Sequence, residues 1–320
     1  GAEPASCENQ PYAFAPTSEL RHTRNEVFVL GQGAARAHGR DAIVRVGSDA
    51  IVEAKFSYGP FAKDLQDEDV ALFVRGLSCA WTRVDTVATD DRGVATFRVP
   101  GSLLSEPGPY AFEAVLEANG EAAPGTIYAL GGPTRAVVFD VDETLTTGNG
   151  ELIEQLILDD EPAMRAGAEE IAGEWASAGW FVTYVTGRPH QFIDITRKWL
   201  GAHRFPEGLL RTSEGLRVSL PGDATERYKE RTLRELKAVG LDVEYAYGNS
   251  LADICAYAKA SIDPSKTFIL GTHAGARCPG WRPTLALESY TEQLGPPILA
   301  LVGRPREREV ATTHGPLTVR

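Results

Sequence analysis

Hydrophobic and polar residues alternate with a period of two from about residue 41 to residue 130. Such alternation is typical of half-buried β-strands. Two of the predicted strands each place four apolar residues on one face: Val52, Ala54, Phe56 and Tyr58, and Tyr110, Phe112, Ala114 and Leu116. Turn sequences such as Asn119-Gly120 separate the runs. We therefore predict an all-β immunoglobulin-like sandwich over residues 41–131, preceded by an irregular N-terminal arm over residues 1–40.

After Gly131-Gly132-Pro133 the pattern changes to strands that alternate with helices, which is typical of a parallel α/β sheet. The predicted strands cover residues 135–139, 180–185, 243–247 and 266–270. The predicted helices cover residues 161–177, 190–200, 225–239 and 251–259. We assign residues 132–320 to one α/β domain with a C-terminal extension.

Two carboxylates, Asp140 and Asp142, follow directly on the apolar strand 135–139. The carboxyl ends of parallel strands form the edge where open α/β sheets bind ligands. A pair of acids at this spacing suits phosphoryl transfer, because one can attack phosphorus while the other protonates the leaving oxygen. A solvated acidic turn is the alternative interpretation.

Phosphate-binding chemistry follows the next strand. Thr186 and Gly187 offer a hydroxyl and backbone N–H groups at the start of a helix, where anions bind. Lys229 shares one helix face with Leu233 and Leu236, so it is predicted to point inward, and a buried cation needs an anionic partner. An ordinary strand-to-helix turn and a surface lysine with a buried aliphatic stem are the alternatives.

Oxygen ligands for a hard cation follow the strand 243–247. Asn249 and Asp253 lie one helical turn apart and face the same way, which suits Mg²⁺ better than zinc. Helix capping would explain the same two residues.

His190, at the start of the helix 190–200, is interpreted as a solvent-facing turn residue.

The composition narrows the class of function. A formal net charge of -12 and a pI near 5.1 argue against a nucleic-acid binder. The sequence contains no apolar run of about eighteen residues, which a transmembrane segment would need. Because the chain begins with Gly1, has a single methionine and contains four cysteines, we expect a processed, exported protein, periplasmic or secreted, with a disulfide inside each domain. Other pairings and a cytoplasmic location stay open.

The order of these motifs resembles the haloacid dehalogenase (HAD) superfamily, and Asp142 resembles its phosphotransferase branch. Over about residues 135–275 the chain is most similar to the lipin-type catalytic domain that is shared with the Nir phosphatidylinositol-transfer proteins. The matching stretches are Tyr184-Val-Thr-Gly-Arg-Pro189, Asp194-Ile-Thr-Arg197, Tyr228-Lys229, Tyr247-Gly-Asn249, Asp253-Ile-Cys-Ala-Tyr257 and Ser265-Lys-Thr-Phe-Ile269.

The resemblance implies roles for the candidate residues. It makes Asp140 the nucleophile and Asp142 the general acid and base. It gives phosphate binding to three residues: Thr186, Gly187 and Lys229. It places Mg²⁺ among Asp140, the carbonyl of Asp142, Asn249 and Asp253. Two departures stand out, since Glu143 replaces a glycine of the lipin motif and Ser250 replaces an arginine.

We therefore predict a Mg²⁺-dependent phosphomonoester hydrolase with an aspartyl-phosphate intermediate and no large cap domain, for which phosphatidate is a candidate substrate. The presence of both acids favours an enzyme. Two alternatives remain: an exported acid phosphatase for soluble phosphomonoesters, and a non-catalytic module that binds phosphatidic acid. The expected partners are a phosphorylated small molecule or a phospholipid, with peripheral membrane contact and no nucleic acid.

Overall fold

The computed structural model describes residues 14–31, 35–59, 63–76, 78–147, 162–213 and 222–303. The described strands are β1 Ala35–Arg40, β2 Ala42–Arg45, β3 Ala50–Tyr58, β4 Lys63–Asp64, β5 Asp69–Arg75, β6 Trp81–Ala88, β7 Val94–Val99, β8 Gly108–Leu116, β9 Ala122–Leu130, β10 Thr134–Phe139, β11 Phe181–Pro189, β12 Leu209–Ser213, β13 Leu241–Gly248, β14 Thr267–Ile269 and β15 Leu285–Ala286. The described helices are α1 Thr23–Gly31, α2 Ala168–Ser177, α3 Ile193–Ala202, α4 Gly222–Ala238, α5 Leu251–Lys259, α6 Tyr290–Gln293 and α7 Pro296–Val302.

The N-terminal strands form a β-sandwich, as predicted. In one sheet, β3 pairs antiparallel with β1, β4 and β7. The other sheet has the order β2-β9-β8-β5-β6. The four alternating apolar residues of β3 and the four of β8 are all buried between the sheets. The period-two pattern therefore identified the core faces of this domain correctly.

The prediction of an irregular arm over residues 1–40 is wrong for two described stretches. Residues 23–31 form α1 and residues 35–40 form β1, which pairs with β3 along its whole length. β1 contains no large apolar residue, and Asn25 of α1 donates hydrogen bonds to the Gln66 carbonyl and the Glu68 carboxylate. Polar contacts of this kind leave no hydrophobic periodicity in the sequence.

The second domain is an α/β domain with a parallel sheet of order β12-β11-β10-β13-β14-β15. Residues 136–139 of the central strand β10 are all fully buried, because each face of the sheet is covered. Trp175 of α2 packs on one face and Leu233 of α4 on the other. The chain runs from β10 to β11 and β12 on one side, and β13 then returns to the other side of β10.

Two helices begin later than predicted. α2 begins at Ala168 rather than at residue 161, directly after Gly167, whose φ of 80° does not continue a right-handed helix. α3 begins at Ile193, because His190–Phe192 form a 3-10 turn first. Residues 148–161 and 214–221 lie outside the described residues, and the prediction that no large cap is present falls partly on them.

The sandwich and the sheet share part of their core. Ile43 and Leu130 of the sandwich belong to the same buried cluster as Val138 and Leu236 of the α/β domain. The rings of Tyr128 and Phe181 meet edge to face, with centroids 5.2 Å apart.

The disulfide predicted inside the α/β domain is confirmed, since Cys255 of α5 is bonded to Cys278. The predicted partner of Cys79, Cys7, lies outside the described residues.

Asp41 joins the two domains through polar contacts. Its side chain is 2% exposed. One carboxylate oxygen accepts hydrogen bonds from the Thr126 backbone N–H at 3.0 Å and from Arg197 Nη2 at 2.9 Å. The other accepts from the Leu210 backbone N–H at 3.0 Å, and Arg211 donates to the Asp41 carbonyl. The carboxylate therefore satisfies backbone donors of both domains at once.

We expect Asp41→Ala to lower the free energy of unfolding by about 3–5 kcal/mol, because it leaves buried N–H groups without acceptors and breaks a largely buried ion pair. Urea denaturation measures the loss. The control is Glu235→Ala, since Glu235 forms an exposed pair with Arg231 at 3.9 Å and should change stability by less than about 1 kcal/mol. Equal effects of the two variants would show that the domains do not depend on Asp41.

Candidate functional site

The candidate residues gather at the carboxyl edge of the parallel sheet. Asp140 follows β10, and Asn249 follows β13, the strand beside it. Both strands run in the same direction, but the strand order reverses between them, because β11 and β12 lie on one side of β10 and β13 lies on the other. Ligands of open α/β sheets bind at such a switch point. Thr186 lies near the end of β11, on the other side of β10. The fold therefore brings residues that are far apart in sequence to one edge.

Lys229 connects two of the predicted acids. Its Nζ lies 2.5 Å from Asp140 Oδ1 and also donates to Asp253 Oδ1. All three residues are at most 4% exposed. The inward orientation predicted for Lys229 is thus what the structure shows, and the lysine acts as the shared counterion of two buried carboxylates.

Burial governs the ionisation of Asp140, Lys229 and Asp253. It raises the pKa of Asp140 to about 7, and the neighbouring charges of Asp253 and Asp142 add to the effect, while Lys229 opposes it. Burial alone would lower the pKa of Lys229, but the two carboxylates raise it above its usual value. For Asp253, burial is outweighed by Lys229 and by hydrogen bonds from Ser250 and Asn249, so its pKa is lowered.

The start of α5 fixes the carboxylate of Asp253. Its Oδ2 accepts from Ser250 Oγ at 2.7 Å and from the backbone N–H groups of Ser250 and Asn249 at 3.1 and 3.2 Å. Ser250 Oγ accepts from the Asp253 N–H in return, which completes a capping box. A Cβ on Gly248 would lie 2.7 Å from the Asp253 Cβ, so glycine is needed there.

Asp142 is held by a pair of residues from β11. The guanidinium of Arg188 contacts both oxygens of its carboxylate: Nη2 lies 2.7 Å from Oδ1, and Nε lies 2.9 Å from Oδ1 and 3.1 Å from Oδ2. Thr186 Oγ1 donates to Oδ2 at 3.0 Å. Arg188 has no exposed side-chain area and is anchored further by Thr196 Oγ1 at 2.9 Å. Asp142 therefore faces a fixed cation and a hydroxyl.

Asn249 is connected to the same cluster. Thr144 Oγ1 lies 2.9 Å from Asp140 Oδ2 and 3.3 Å from Asn249 Oδ1. On its other side, Asn249 Nδ2 donates to Glu143 Oε2 at 3.1 Å. Glu143 has a φ of 57°, a left-handed conformation that glycine adopts without strain. The backbone explains why the resembling motif has glycine at this position.

The oxygen atoms fit a hard cation in their chemistry. Within the described residues, no group of three or more His, Cys, Asp or Glu side chains is arranged to hold a metal. Asp140 and Asp253 nevertheless converge on one point, the Lys229 ammonium, and the Asn249 amide oxygen adjoins them through Thr144. A cation here would be held by these three residues and would have to share their oxygens with Lys229.

The sequence did not reveal two features of this site. Arg188 and Thr144 belong to the motifs, but nothing in the sequence spacing showed that Arg188 contacts Asp142 or that Thr144 contacts Asp140.

Gly187 was predicted to bind phosphate, and a Cβ there would lie 3.2 Å from the Thr225 methyl of α4, so it allows α4 to pack closely. The interpretation of His190 as solvent-facing is wrong, because its side chain is half-buried, its Nδ1 lies 3.1 Å from Thr212 Oγ1 and its ring meets that of His38 edge to face.

Family models match both domains. Residues 35–127 match the model "PITM 1-3, beta-sandwich domain", and residues 137–271 match the model "PITM 1-3, LNS2 domain". The chain therefore has a β-sandwich domain followed by an LNS2 domain. This supports the resemblance to lipin- and Nir-type domains with a HAD-like fold.

Curated relatives extend the similarity over most of the chain. It is 28% identical over 274 residues to membrane-associated phosphatidylinositol transfer protein 1 of Homo sapiens, covering 83% of this chain and 21% of the relative. It is 27% identical over 241 residues to protein retinal degeneration B of Drosophila melanogaster, covering 74% and 18%. The chain thus spans about a fifth of the length of these relatives.

A solved structure, of a putative HAD-like phosphatase from Mesorhizobium loti, is 19% identical with a TM-score of 0.40, and the match covers 63% of this chain and 98% of that one. Within the described residues, no helix is long and apolar enough to cross a membrane.

These relatives correct the functional prediction. Several of them are named as membrane-associated phosphatidylinositol transfer proteins, so the predicted hydrolase and phosphatase activity is wrong, and the alternative of a lipid-binding module fits better. The roles of Asp140 as nucleophile and Asp142 as general acid are withdrawn with it. The prediction of an exported protein is also contradicted, since relatives are named as membrane-associated.

Asp140 should make stability depend on pH. A carboxyl whose folded pKa is raised to about 7 destabilises the fold above its unfolded pKa of about 4; the cost is complete above the folded value and decreases as pH falls from about 7 to about 4. We expect the free energy of unfolding to rise as pH falls from about 7 to about 4, relative to that of Asp140→Asn. Urea denaturation of both chains tests this, with the exposed Asp242→Asn as control. A pH-independent difference between Asp140→Asn and the unaltered chain would contradict the raised pKa.

Proposed function

We propose that the LNS2 domain is a receptor for the phosphomonoester headgroup of phosphatidic acid and that it binds this lipid without hydrolysing it. The single observation that carries the proposal is the bidentate contact between Arg188 and Asp142. This contact and the hydrogen bond from the Thr186 hydroxyl hold the Asp142 carboxylate in one position. It is poorly placed to protonate a leaving group, which general acid catalysis requires.

The same cluster supplies donors for phosphate. Lys229 is a buried ammonium with three N–H groups, two of which are donated to Asp140 and Asp253. The Thr186 hydroxyl of β11 donates to Asp142 and would turn to a bound phosphate. Both residues are at most 2% exposed. A group that reaches them must be narrow, and a terminal phosphomonoester meets that condition better than a phosphodiester with substituents on both sides. The depth of these donors therefore favours phosphatidic acid over a phosphatidylinositol headgroup.

A divalent cation completes the proposal. When ionised, Asp140, Asp142, Glu143 and Asp253 outweigh Lys229 and Arg188, which leaves the cluster with a net charge of −2. An anionic phosphate would be repelled by that charge at short range. We propose that Mg²⁺, held by Asp140, Asp253 and Asn249, supplies the missing positive charge and contacts the bound phosphate.

Vesicle binding tests the lipid. The unaltered chain should bind vesicles that contain phosphatidic acid more tightly than vesicles of phosphatidylcholine or phosphatidylinositol, and it should release no inorganic phosphate. Lys229→Met should weaken the binding by about tenfold or more, because a charge-assisted hydrogen bond is lost. Lys198→Met on α3 removes an exposed positive charge and serves as the control.

Each contrary result has a separate meaning. Catalytic release of phosphate would refute the binding-only function. A preference for phosphatidylinositol vesicles would refute the assignment of phosphatidic acid. Equal losses in Lys229→Met and Lys198→Met would show that the membrane is attracted by surface charge rather than by the buried site. Circular dichroism of each variant confirms that it is folded.

Removal of Mg²⁺ tests the cation. We expect a chelator to weaken binding to phosphatidic acid vesicles by about tenfold or more, because the negative cluster would then face the phosphate unscreened. Added Mg²⁺ should restore binding, and Asp253→Asn should lose most of this dependence. Binding that is unchanged in the chelator would contradict the cation while leaving the lipid assignment in place.

A further inference from the structure

Glu143 combines an unfavourable backbone with a specific side-chain contact. Its φ of 57° is in the left-handed region, which residues with a Cβ avoid and glycine adopts freely. Its Oε2 accepts a hydrogen bond from Asn249 Nδ2 at 3.1 Å, over a sequence separation of 106 residues. A glycine would give the same turn with less strain but without the carboxylate. The side chain therefore points to a role at the site.

The contact decides which way the Asn249 amide faces. An ionised carboxylate can only accept hydrogen bonds, so the side of Asn249 that meets Glu143 must be its NH₂ group. The amide oxygen is then directed to the opposite side, where it lies 3.3 Å from Thr144 Oγ1. Thr144 Oγ1 also contacts Asp140 Oδ2, so the oxygen of Asn249 faces the carboxylate cluster. With the amide reversed, two N–H groups would face that position and repel a cation.

The backbone of Glu143 is fixed independently of its side chain. Its N–H donates to Thr146 Oγ1 at 3.0 Å, and its carbonyl accepts from Arg165 Nε at 2.9 Å. Changes of the Glu143 side chain should therefore leave the turn between Asp142 and Thr144 in place. This makes position 143 suitable for testing the carboxylate separately from the fold.

We propose that Glu143 is a positioning residue for the cation site: it orients the Asn249 amide so that Oδ1 is presented to a divalent cation beside Asp140 and Asp253. The inference rests on the proposed cation of the lipid-binding function and names the residue that makes the site competent. Groups that orient metal ligands from the outer shell typically affect metal affinity by about 10–100-fold.

Three variants of the full chain separate the possible roles. Glu143→Gln keeps an acceptor oxygen for Asn249 Nδ2 and removes the charge. Glu143→Ala removes the acceptor and keeps a Cβ in the left-handed turn. Glu143→Gly removes the acceptor and relieves the backbone strain. Mn²⁺ serves as the probe, because it prefers the same oxygen ligands as Mg²⁺ and its binding is read by electron paramagnetic resonance without lipid.

We expect Glu143→Gln to bind Mn²⁺ within about threefold of the unaltered chain, and Glu143→Ala and Glu143→Gly to bind it about tenfold more weakly. The thermal midpoint of Glu143→Gly should be equal to or higher than that of Glu143→Ala. A merely structural residue would move stability and leave Mn²⁺ affinity unchanged. In an Asn249→Ala background, Glu143→Ala should have no further effect on Mn²⁺ affinity, because its action passes through Asn249.

Several results would overturn the inference. Unchanged Mn²⁺ affinity in Glu143→Ala would remove the positioning role. A loss in Glu143→Gln as large as that in Glu143→Ala would assign the effect to charge or to direct coordination by Glu143. Failure of the unaltered chain to bind Mn²⁺ would refute both the cation and this role of Glu143. Binding of phosphatidic acid vesicles, measured on the same preparation, would in that case show that the lipid-binding function stands without them.

Discussion

The site depends on one buried cation placed between two buried carboxylates. Asp140 follows β10 and Asp253 lies in the first turn of α5, and Lys229 opposes the effect of burial on the ionisation of both. The lysine in turn reaches them because α4 packs closely on β11, where Gly187 has no Cβ to obstruct Thr225. The position of Lys229 thus depends at once on helix packing, on the glycine at position 187 and on the ion pairs. Removing one partner would leave an uncompensated charge in the core.

The hydrophobic pattern of the sequence predicted the elements in which burial is periodic along the chain. Period-two alternation located the sandwich faces, and alternating strands and helices located the parallel sheet, because burial imposes those periods on the residues. α1 and β1 were missed, since the described polar contacts of the arm, such as Asn25 with Glu68, leave no period. The early part of the predicted helix 161–177 was wrong because Gly167 interrupts the helical backbone. Single residues with special φ values are hard to recognise from periodicity.

The convergence of the candidate residues could be predicted, but their partners could not. Strand ends of a parallel sheet lie at one edge, so Asp140, Thr186 and Asn249 had to be neighbours. Which groups then contact one another is decided by side-chain directions that the sequence does not encode locally. Arg188 could have pointed into solvent, and Asp142 could have faced the ligand. The same residue types can therefore serve a hydrolase or a receptor.

The groups that hold each acid are what supports the receptor proposal over a hydrolase. A hydrolase of the predicted kind needs one carboxylate free to attack and another free to exchange a proton. In this chain, Lys229 engages Asp140, and Arg188 with Thr186 engages Asp142, so each acid is matched by a fixed donor. The donors of this network are already ordered, and ordering is a large part of the cost of recognition. The same fixed arrangement opposes the proton movements that turnover requires. Carboxylates that are held by their own counterions therefore support the proposal of recognition without hydrolysis.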